Sequence, residues 1–496
     1  MKTKNILALL LILTILASLS ISAVAAPADL TGHTYSAFQI FAGTQEAGTT
    51  DGNLGQVTWG SGINSAVFLS ALKNSADFGT PNPFLSANTA AEVARVIDES
   101  AQFGDNTPAS VALSKIAYVS RVASAGIPCQ SGTTSLDAGY YLVVDTTEFG
   151  ENDTNTVSNL ALLQLTGKGT FEINNKASVP TIEKKVRDTN YSAGVISDWQ
   201  DSADYDIGDE VPFRVSVTLG DMMGYSMYSI TVHDTLSSGL TYVRKPMVIK
   251  NGDVDVSSHF NVLVAGNEIT VSCIDVLPFA KANDVITFEY SATLNENAVI
   301  GPAGNDNTVY LTYSNNPNEL ARTGKTPTDL VRIFTYALVL NKIDEAQKPL
   351  AGAEFQLLKK NATDTYVPWM NESKSMGRTG TDKSVFNWKG LDDGEYQIVE
   401  TKTPDGYNTA DPIFFTVTAE HQVVSDNPQL TKLNSTAPVT ADATVGTMSV
   451  DVVNEGGVIL PETGSEGTNM IYLLGSVLLL GGLVLIVTKK RVGDAG

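Results

Sequence analysis

Polar side chains fall on faces of predicted strands that are otherwise apolar. Alternate residues of a strand share one face, so in TIEKKV the side chain of Lys184 lies on the same side as Ile182 and Val186. Asp234 in ITVHDTL and Asn307 in NTVYLTY occupy equivalent positions. If the apolar residues point into a core, a lysine, an aspartate and an asparagine point there too.

A second set with the order lysine, acid, asparagine occurs further along the chain. Lys342 in ALVLNK, Glu400 in YQIVE and Asn454 in SVDVVN share strand faces with apolar residues. In each set the lysine lies on the first predicted strand of its block and the asparagine on the last. A lone lysine near a strand end usually extends its ammonium group into water. The repetition of the set favours burial instead.

Burial would give these groups a specific chemistry. A low dielectric lowers the pKa of a lysine until it is a neutral, nucleophilic amine, and it raises the pKa of a carboxyl group until that group stays protonated. The protonated acid can polarise the amide carbonyl of an asparagine and shuttle protons. Attack by the amine on that carbonyl forms a lysine–asparagine isopeptide bond and releases ammonia, and the product no longer carries a buried charge.

The N-terminal segment MKTKNILALLLILTILASLSISAVAA has the features of a secretory signal peptide. Two lysines precede an apolar run that ends in small residues, and we expect cleavage after Ala25 or Ala26. Residues 1–25 are therefore assigned to the signal, and the chain is expected to leave the cytoplasm.

Near the C-terminus a turn-prone pentapeptide, Leu460-Pro461-Glu462-Thr463-Gly464, precedes a second apolar run. This run, Met470 to Thr488, is 19 residues long and could cross a hydrocarbon core of about 30 Å as a helix. The basic residues Lys489-Lys490-Arg491 follow it, as is typical of a cytoplasmic end. Taken alone, such a run indicates a permanent membrane anchor.

The composition restricts the classes of partner. The 496 residues include 54 acidic and 32 basic ones, for a net charge of −22, which disfavours nucleic acid and anionic membrane surfaces as ligands. The two cysteines, Cys129 and Cys273, are far apart in sequence and give no disulfide framework.

Signatures of an enzyme are missing from the sequence. Four histidines are scattered along the chain, and there is no HxxxH pair, GxSxG elbow, P-loop or CxxC pair. Cys129 has no evident histidine partner and is expected to be a buried thiol. We therefore expect no cofactor and no metal site.

The remaining chain divides into three predicted domains and a tail, namely residues 26–176, 177–328, 329–456 and 457–496. The second and third domains alternate apolar and polar residues between turn signals such as NGDVD and LDDGEY, which predicts antiparallel β-sandwiches. The first domain has strand-like ends around AAEVARVIDES and PASVALSKIAYVSRVA, which have helical periodicity. The predicted fold is mainly β, with a helical insertion in the first domain.

The pentapeptide, the apolar run and the basic tail together resemble the LPxTG cell-wall sorting signal of Gram-positive surface proteins. In that family a membrane sortase cuts between the threonine and glycine positions, here Thr463 and Gly464, and transfers the threonine carbonyl to an amine. The resemblance implies a sortase and peptidoglycan as partners. It also implies a secreted protein anchored in the cell wall, whose precursor is held transiently in the membrane.

The second domain resembles that of the sortase-assembled pilins of Gram-positive bacteria, whose immunoglobulin-like domains carry self-formed isopeptide bonds. The segments TIEKKV, HDTLSSGL and GNDNTVYLTYSNNP are similar to the pilin second-domain pattern, in which the assisting acid is an aspartate. This resemblance implies that Lys184 is joined to Asn307 with assistance from Asp234.

The third domain contains YQIVETKTPDGY, which is similar to the pilin E-box in a domain like the B-type repeat of collagen adhesins. The resemblance implies that Lys342 is joined to Asn454 with assistance from Glu400. It covers nearly the whole chain and implies tandem immunoglobulin-like sandwiches.

One motif departs from the family pattern. Backbone pilins usually carry Tyr-Pro-Lys near the end of the first domain, and its lysine attacks the sortase intermediate of the next subunit. Here the equivalent segment is FEINNKASVP, in which Asn174 and Asn175 precede Lys176. The resemblance implies an intersubunit bond between Thr463 and Lys176, although an ordinary solvated lysine is the alternative.

These features predict the structural subunit of a covalent, wall-anchored pilus shaft that supports adhesion and is not an enzyme. Its expected partners are other copies of itself, ancillary pilins and a host surface ligand, with no nucleic acid. A monomeric LPxTG-anchored adhesin would share the sorting signal and the isopeptide sets but would lack a polymerising lysine. A surface enzyme is the third alternative.

Overall fold

The computed structural model describes residues 25–29, 31–45, 53–105, 107–149, 153–157, 160–172, 178–379, 383–457 and 471–480. Most of the predicted signal peptide, Lys176 and the pentapeptide Leu460–Gly464 lie outside these residues. Of the predicted span Met470–Thr488, residues 471–480 form an exposed helix. No helix among the described residues is both long and apolar enough to cross a membrane.

The first domain combines a sheet with a helical insertion. Its strands are β1 (Ala26–Pro27), β2 (Tyr35–Gln45), β3 (Leu54–Trp59), β4 (Ile127–Cys129), β5 (Ser135–Leu136), β6 (Gly139–Asp145), β7 (Ala161–Leu165) and β8 (Gly169–Thr170). Its helices are α1 (Ser65–Asn74), α2 (Ala90–Glu99) and α3 (Pro108–Ser120), with short 3-10 turns at Ala76–Phe78, Ala101–Phe103 and Ala123–Ala125.

The helices of the first domain lie between β3 and β4, as the periodicity predicts. Thr89 caps α2 in a capping box with Glu92, and Pro108 opens α3 at a position where its missing N–H is not needed. The helices pack on one face of the sheet β3-β2-β6-β7, where Phe38 and Ile40 of β2 are buried.

The second domain is a sandwich of two sheets. Its strands are β9 (Ser178–Val179), β10 (Thr181–Val186), β11 (Thr189–Asn190), β12 (Val195–Ile196), β13 (Ser202–Asp204), β14 (Glu210–Thr218), β15 (Ile230–Leu236), β16 (Leu240–Tyr242), β17 (Val248–Asn251), β18 (Val254–Asp255), β19 (Asn261–Ala265), β20 (Glu268–Cys273), β21 (Val285–Leu294), β22 (Asn305–Ser314), β23 (Thr323–Lys325) and β24 (Asp329–Phe334), with a 3-10 turn at Ser257–His259. One sheet has the order β10-β14-β21-β17-β18 and the other has the order β13-β24-β22-β15-β20-β19. The inward faces of β14, β15, β21 and β22 form the core.

The third domain is a second sandwich. Its strands are β25 (Tyr336–Asp344), β26 (Glu354–Lys360), β27 (Tyr366–Pro368), β28 (Arg378–Thr379), β29 (Val385–Leu391), β30 (Gly394–Lys402), β31 (Ile413–His421), β32 (Leu430–Ser435), β33 (Thr440–Asp442) and β34 (Thr447–Asn454), with one turn of helix, α4 (Glu372–Ser375). The sheets have the orders β28-β29-β25-β34-β33 and β27-β26-β30-β31-β32. The first and last strands, β25 and β34, are parallel neighbours.

The junction between the second and third domains lies one strand later than the predicted boundary at residue 328. Strand β24 pairs with β22 and β13 of the second domain, so the change of domain falls at Thr335. The backbone N–H of Lys184 on β10 also donates to Asp329 Oδ2 at 2.6 Å. Strand β22, which carries Asn307, is therefore not the last strand of its domain, because β24 follows it.

Candidate functional site

The first predicted set converges in the core of the second domain. Lys184 on β10 and Tyr290 on β21 belong to one sheet, and Asp234 on β15 and Asn307 on β22 belong to the facing sheet. Asp234 lies opposite Val309 in the register of β15 and β22, so Asn307, two residues away, shares its face. Lys184, Asp234 and Asn307 are each at most 1% exposed. The alternation rule therefore identified three side chains that meet.

A buried tyrosine, Tyr290, connects the three side chains of this set. The Tyr290 hydroxyl donates to Asp234 Oδ2 at 2.6 Å and accepts hydrogen bonds from Lys184 Nζ at 2.8 Å and Asn307 Nδ2 at 2.9 Å. Lys184 Nζ also donates to Asp234 Oδ2. The amine of Lys184 and the amide nitrogen of Asn307 therefore both donate to the Tyr290 hydroxyl oxygen, which lies next to the Asp234 carboxyl group.

The electrostatics favour a neutral lysine and a protonated acid. Burial lowers the pKa of Lys184, although the Asp234 carboxylate opposes this shift. Burial raises the pKa of Asp234, and Lys184 opposes that shift in turn. Asp234 Oδ1 and Asn307 Oδ1 are buried and have no hydrogen-bond partner among the described residues. A buried polar atom without a hydrogen bond costs free energy, so the state in which Lys184 and Asn307 are not yet joined is destabilised.

This geometry can carry out amide exchange. Transfer of the proton from the Lys184 ammonium to Asp234 gives a free amine and a carboxylic acid. The amine can then attack the Asn307 carbonyl carbon. Asp234 donates its proton to the departing nitrogen and takes up the proton that the attacking nitrogen loses. The carbon–nitrogen bond of the carboxamide breaks, the new amide forms, and ammonia carries away the nitrogen that Tyr290 holds.

The second predicted set lies in the core of the third domain. Lys342 on β25 is opposite Val452 in the parallel pairing with β34, so Asn454 is two residues further along the same face. Glu400 approaches from β30 of the other sheet. Lys342, Glu400 and Asn454 are each at most 7% exposed. The structure therefore places all three predicted residues in one core, with Glu400 and Asn454 in direct contact.

The hydrogen bonds of this second set differ from those of the first. Asn454 Nδ2 donates to Glu400 Oε1 at 2.9 Å and to Oε2 at 3.1 Å, and Glu400 Oε2 also accepts from the Ala410 N–H at 2.7 Å. Lys342 Nζ donates to the backbone carbonyls of Ile343 and Val452 at 3.0 and 3.1 Å. Burial lowers the pKa of Lys342, although the nearby Glu400 carboxylate acts to raise it. The acid is thus bound to the amide that it would activate.

A third buried lysine, Lys359, has a different environment. Its Nζ lies 2.6 Å from Asp206 Oδ2 and 3.2 Å from Asp392 Oδ2, and Trp369 Nε1 donates to Asp206 Oδ1 at 2.9 Å. Burial acts to lower the pKa of Lys359, but the two carboxylates outweigh it and the pKa rises well above its usual value. This lysine stays an ammonium ion. Because Asp206 belongs to the second domain and Lys359 to the third, the pair joins the two domains.

His421 makes a further link at the same junction. Its Nε2 lies 3.4 Å from Asp204 Oδ1 and 3.7 Å from Asp188 Oδ2, and its Nδ1 contacts Ser202 Oγ at 2.7 Å. The Ser202 hydroxyl donates its proton to the Gln422 carbonyl, so Ser202 accepts from Nδ1–H. Burial acts to lower the pKa of His421, but the carboxylates outweigh it and raise the pKa to about 9.

The other sites named from the sequence are only partly described. Lys176, Leu460, Pro461, Glu462, Thr463 and Gly464 lie outside the described residues. Cys129 and Cys273 are free and buried, and burial raises the pKa of Cys129 to about 11. A thiol with such a pKa is a poor nucleophile at neutral pH.

Comparison with known proteins agrees with this architecture. Residues 337–429 match the family described as SpaA: Prealbumin-like fold domain. The trypsin-resistant surface T6 protein of Streptococcus pyogenes serotype M6 is 23% identical over 406 residues, which cover 64% of this chain and 70% of that protein. The fimbrial subunit type 1 of Actinomyces viscosus is 34% identical over 101 residues, covering 20% of this chain and 16% of that one.

This chain resembles the backbone pilins of Gram-positive bacteria. That resemblance, predicted from the E-box and the second-domain segments, is confirmed, as is the mainly β fold. Among solved structures, the T6 backbone pilin of serotype M6 S. pyogenes is 17% identical, with coverage of 88% of this chain and 98% of that one and a TM-score of 0.49.

Proposed function

We propose that this protein is the repeating structural subunit of a covalent pilus shaft on a Gram-positive cell surface, anchored to the cell wall through its sorting signal. The observation that carries the proposal is the presence of two lysine, acid and asparagine sets, one in each of two consecutive sandwiches, in a chain that resembles backbone pilins. Both sets are buried in the cores of their domains, where an isopeptide bond would reinforce a subunit that has to bear tension.

The positions of the two sets fit a load-bearing role. Lys184 lies near the start of the second domain and Asn307 near its end, so a bond between them closes a loop of more than 100 residues. Lys342 and Asn454 lie on the neighbouring strands β25 and β34, which begin and end the third domain. A pulling force along the chain would pass through each bond, and most of each sandwich would carry no load.

The proposed polymerisation joins Thr463 of one subunit to Lys176 of the next through a sortase acyl-enzyme. The described residues that flank the segment of Lys176 lie at a cleft. Phe171, Glu172 and Ser178 help to line a cleft of about 630 Å³ between the first and second domains. A surface ammonium is strongly hydrated, so the sortase complex would have to deprotonate Lys176 before it attacks.

A denaturing gel of cell-wall extract from the native host tests this proposal. The wild type is expected to give a ladder of covalent oligomers, and Lys176→Arg is expected to reduce the ladder to monomer without loss of wall attachment. Lys168→Arg is the matched control, because Lys168 is an exposed lysine of the same domain. A single wild-type band would favour the monomeric adhesin, and a ladder that survives Lys176→Arg would assign the linkage to another lysine.

A further inference from the structure

The lysine of the second domain's set lies on a strand at the edge of its sheet. Among the described strands β10 pairs with β14 alone, so alternate N–H groups of β10 point away from that sheet. The Val186 N–H donates to the Gln200 carbonyl at 2.8 Å, and the Lys184 N–H donates to Asp329 Oδ2 at 2.6 Å. Of these two bonds, only the one at Lys184 is made to a side chain.

Asp329 belongs to the sheet that carries the amide. It lies on β24 opposite Val309 of β22, and Val331 lies opposite Asn307 in the same pairing. Directly paired residues share one face of a sheet, and Val309, Val331 and Asn307 are fully buried. Asp329 therefore points to the same inner face as Asn307, at the edge of the sandwich where β10 and β24 meet.

The Asp329 carboxylate joins the two sheets beside the reacting groups. Its Oδ2 accepts from the backbone of Lys184, and its Oδ1 accepts from the Leu330 N–H at 2.9 Å, which fixes the carboxylate on β24. Burial raises the pKa of Asp329, and the two N–H donors act to lower it. Amide exchange requires the amine and the carbonyl carbon to meet, and a displacement of about 1 Å can slow a positioned reaction about a hundredfold.

We propose that Asp329 is a positioning residue for the crosslink of the second domain, where it sets the distance between Lys184 and Asn307 by tying β10 to β24. It acts through the backbone of Lys184, and the proton transfers belong to Asp234. This role rests on the isopeptide bond invoked in the proposed function. It adds to the reaction a residue from outside the lysine, acid and asparagine set.

The charge of Asp329 has an opposite effect on the amine. Lys184 faces Asp234, Tyr290 and Asp329, and burial lowers its pKa while the two carboxylates act to raise it. Removal of the Asp329 charge therefore lowers the pKa of Lys184 further and leaves more neutral amine at a given pH. Because loss of the hydrogen bond slows the reaction and loss of the charge favours it, different substitutions of Asp329 separate the two effects.

A time course of crosslinking in newly made protein tests the proposal. The whole chain is synthesised in a cell-free pulse, and samples denatured at intervals are mapped by mass spectrometry for the ammonia lost in each domain. Asp329→Ala is expected to slow the second-domain reaction by about ten- to a hundredfold. The bond between Lys342 and Asn454 is the internal control. Asp306→Ala, which removes a carboxylate that pairs with Arg332 of the same strand β24, is expected to leave both rates unchanged.

Two further variants separate position from charge. Asp329→Asn keeps an oxygen for the Lys184 N–H, so its rate is expected to stay within about threefold of the wild type, with a pH profile shifted to lower pH. Asp329→Glu keeps both the charge and an acceptor but lengthens the side chain, so it is expected to crosslink more slowly than Asp329→Asn. Resistance to trypsin at each time point establishes that the second domain has folded before rates are compared.

Three results would overturn the role of Asp329 and leave the bond itself in place. They are a wild-type rate in the alanine or the glutamate variant, an asparagine variant as slow as the alanine variant, and equal slowing in both domains. A wild-type chain that keeps its ammonia in the second domain would instead remove the bond, and with it both this role and the load-bearing crosslink of the proposed function.

Discussion

The isosteric change Asp234→Asn is expected to abolish the crosslink of the second domain. Asparagine keeps the size and shape of the side chain but cannot accept the lysine proton or return it to the leaving nitrogen. The Lys184 amine would therefore stay unreacted. The mass of the variant should exceed that of the wild type by one ammonia molecule, after correction for the substitution.

The loss of the bond also has a calculable effect on stability. A crosslink between residues 184 and 307 closes a loop of more than 100 residues. The chain-entropy relation derived for disulfides assigns such a loop about 5 kcal/mol of stabilisation. For a domain of this size, that loss lowers the melting temperature by about 10–20 °C.

Intact-mass spectrometry measures the mass difference, and scanning calorimetry of the same samples measures the change in melting temperature. Asp306→Asn is the matched control, because Asp306 neighbours Asn307 but pairs on the surface with Arg332. The control variant should keep the crosslink and should melt within a few degrees of the wild type. A wild-type mass equal to that of the uncrosslinked chain, or an Asp234→Asn variant that still loses ammonia, would refute this account of the site.

Further outcomes follow from the same geometry. Glu400→Gln should restore one ammonia's mass in the third domain and leave the second domain crosslinked, and peptide mapping would separate the two; loss of both bonds would contradict independent sites. Tyr290→Phe should slow crosslinking in the second domain, because the amide nitrogen loses its hydrogen-bond acceptor and Asp234 loses a donor, and a time course of mass loss after refolding would detect this; an unchanged rate would make Tyr290 a packing residue. Thr463→Ala should leave the protein in membrane and secreted fractions, and fractionation that still finds it in the wall would reject the sorting signal.

Alternation of side chains along strands was enough to find both buried lysine, acid and asparagine sets. Lys184 and Lys342 share parity with apolar neighbours, and because a strand has a period of two, they had to point into the core with them. The same rule applies to Lys359, which has the parity of Phe355 and Leu357 in EFQLLKK. Its parity alone therefore indicates that Lys359 is buried, as the structure shows.

Other features depended on contacts between distant segments. Tyr290 has the pattern of an ordinary core aromatic, and its role arises only because β21 lies opposite β15 and β22 across the sandwich. The acid-rich segment DSADYDIGD resembles a solvated loop, yet Asp204 and Asp206 are buried because the third domain packs over them. The segment DLVRIF has the same alternation whichever sheet it joins, so the sequence alone does not assign this strand to the second domain, where it pairs with β22 and β13.

The covalent bond between subunits distinguishes a polymerised shaft from a protein that is attached singly to the cell wall. Covalent dimers isolated from the wall of the native host can be digested and sequenced by tandem mass spectrometry. The proposed shaft requires a branched peptide in which the carbonyl of Thr463 is joined to the Nζ of Lys176. Finding Thr463 attached only to peptidoglycan, with no branched peptide between two copies of this chain, would contradict it.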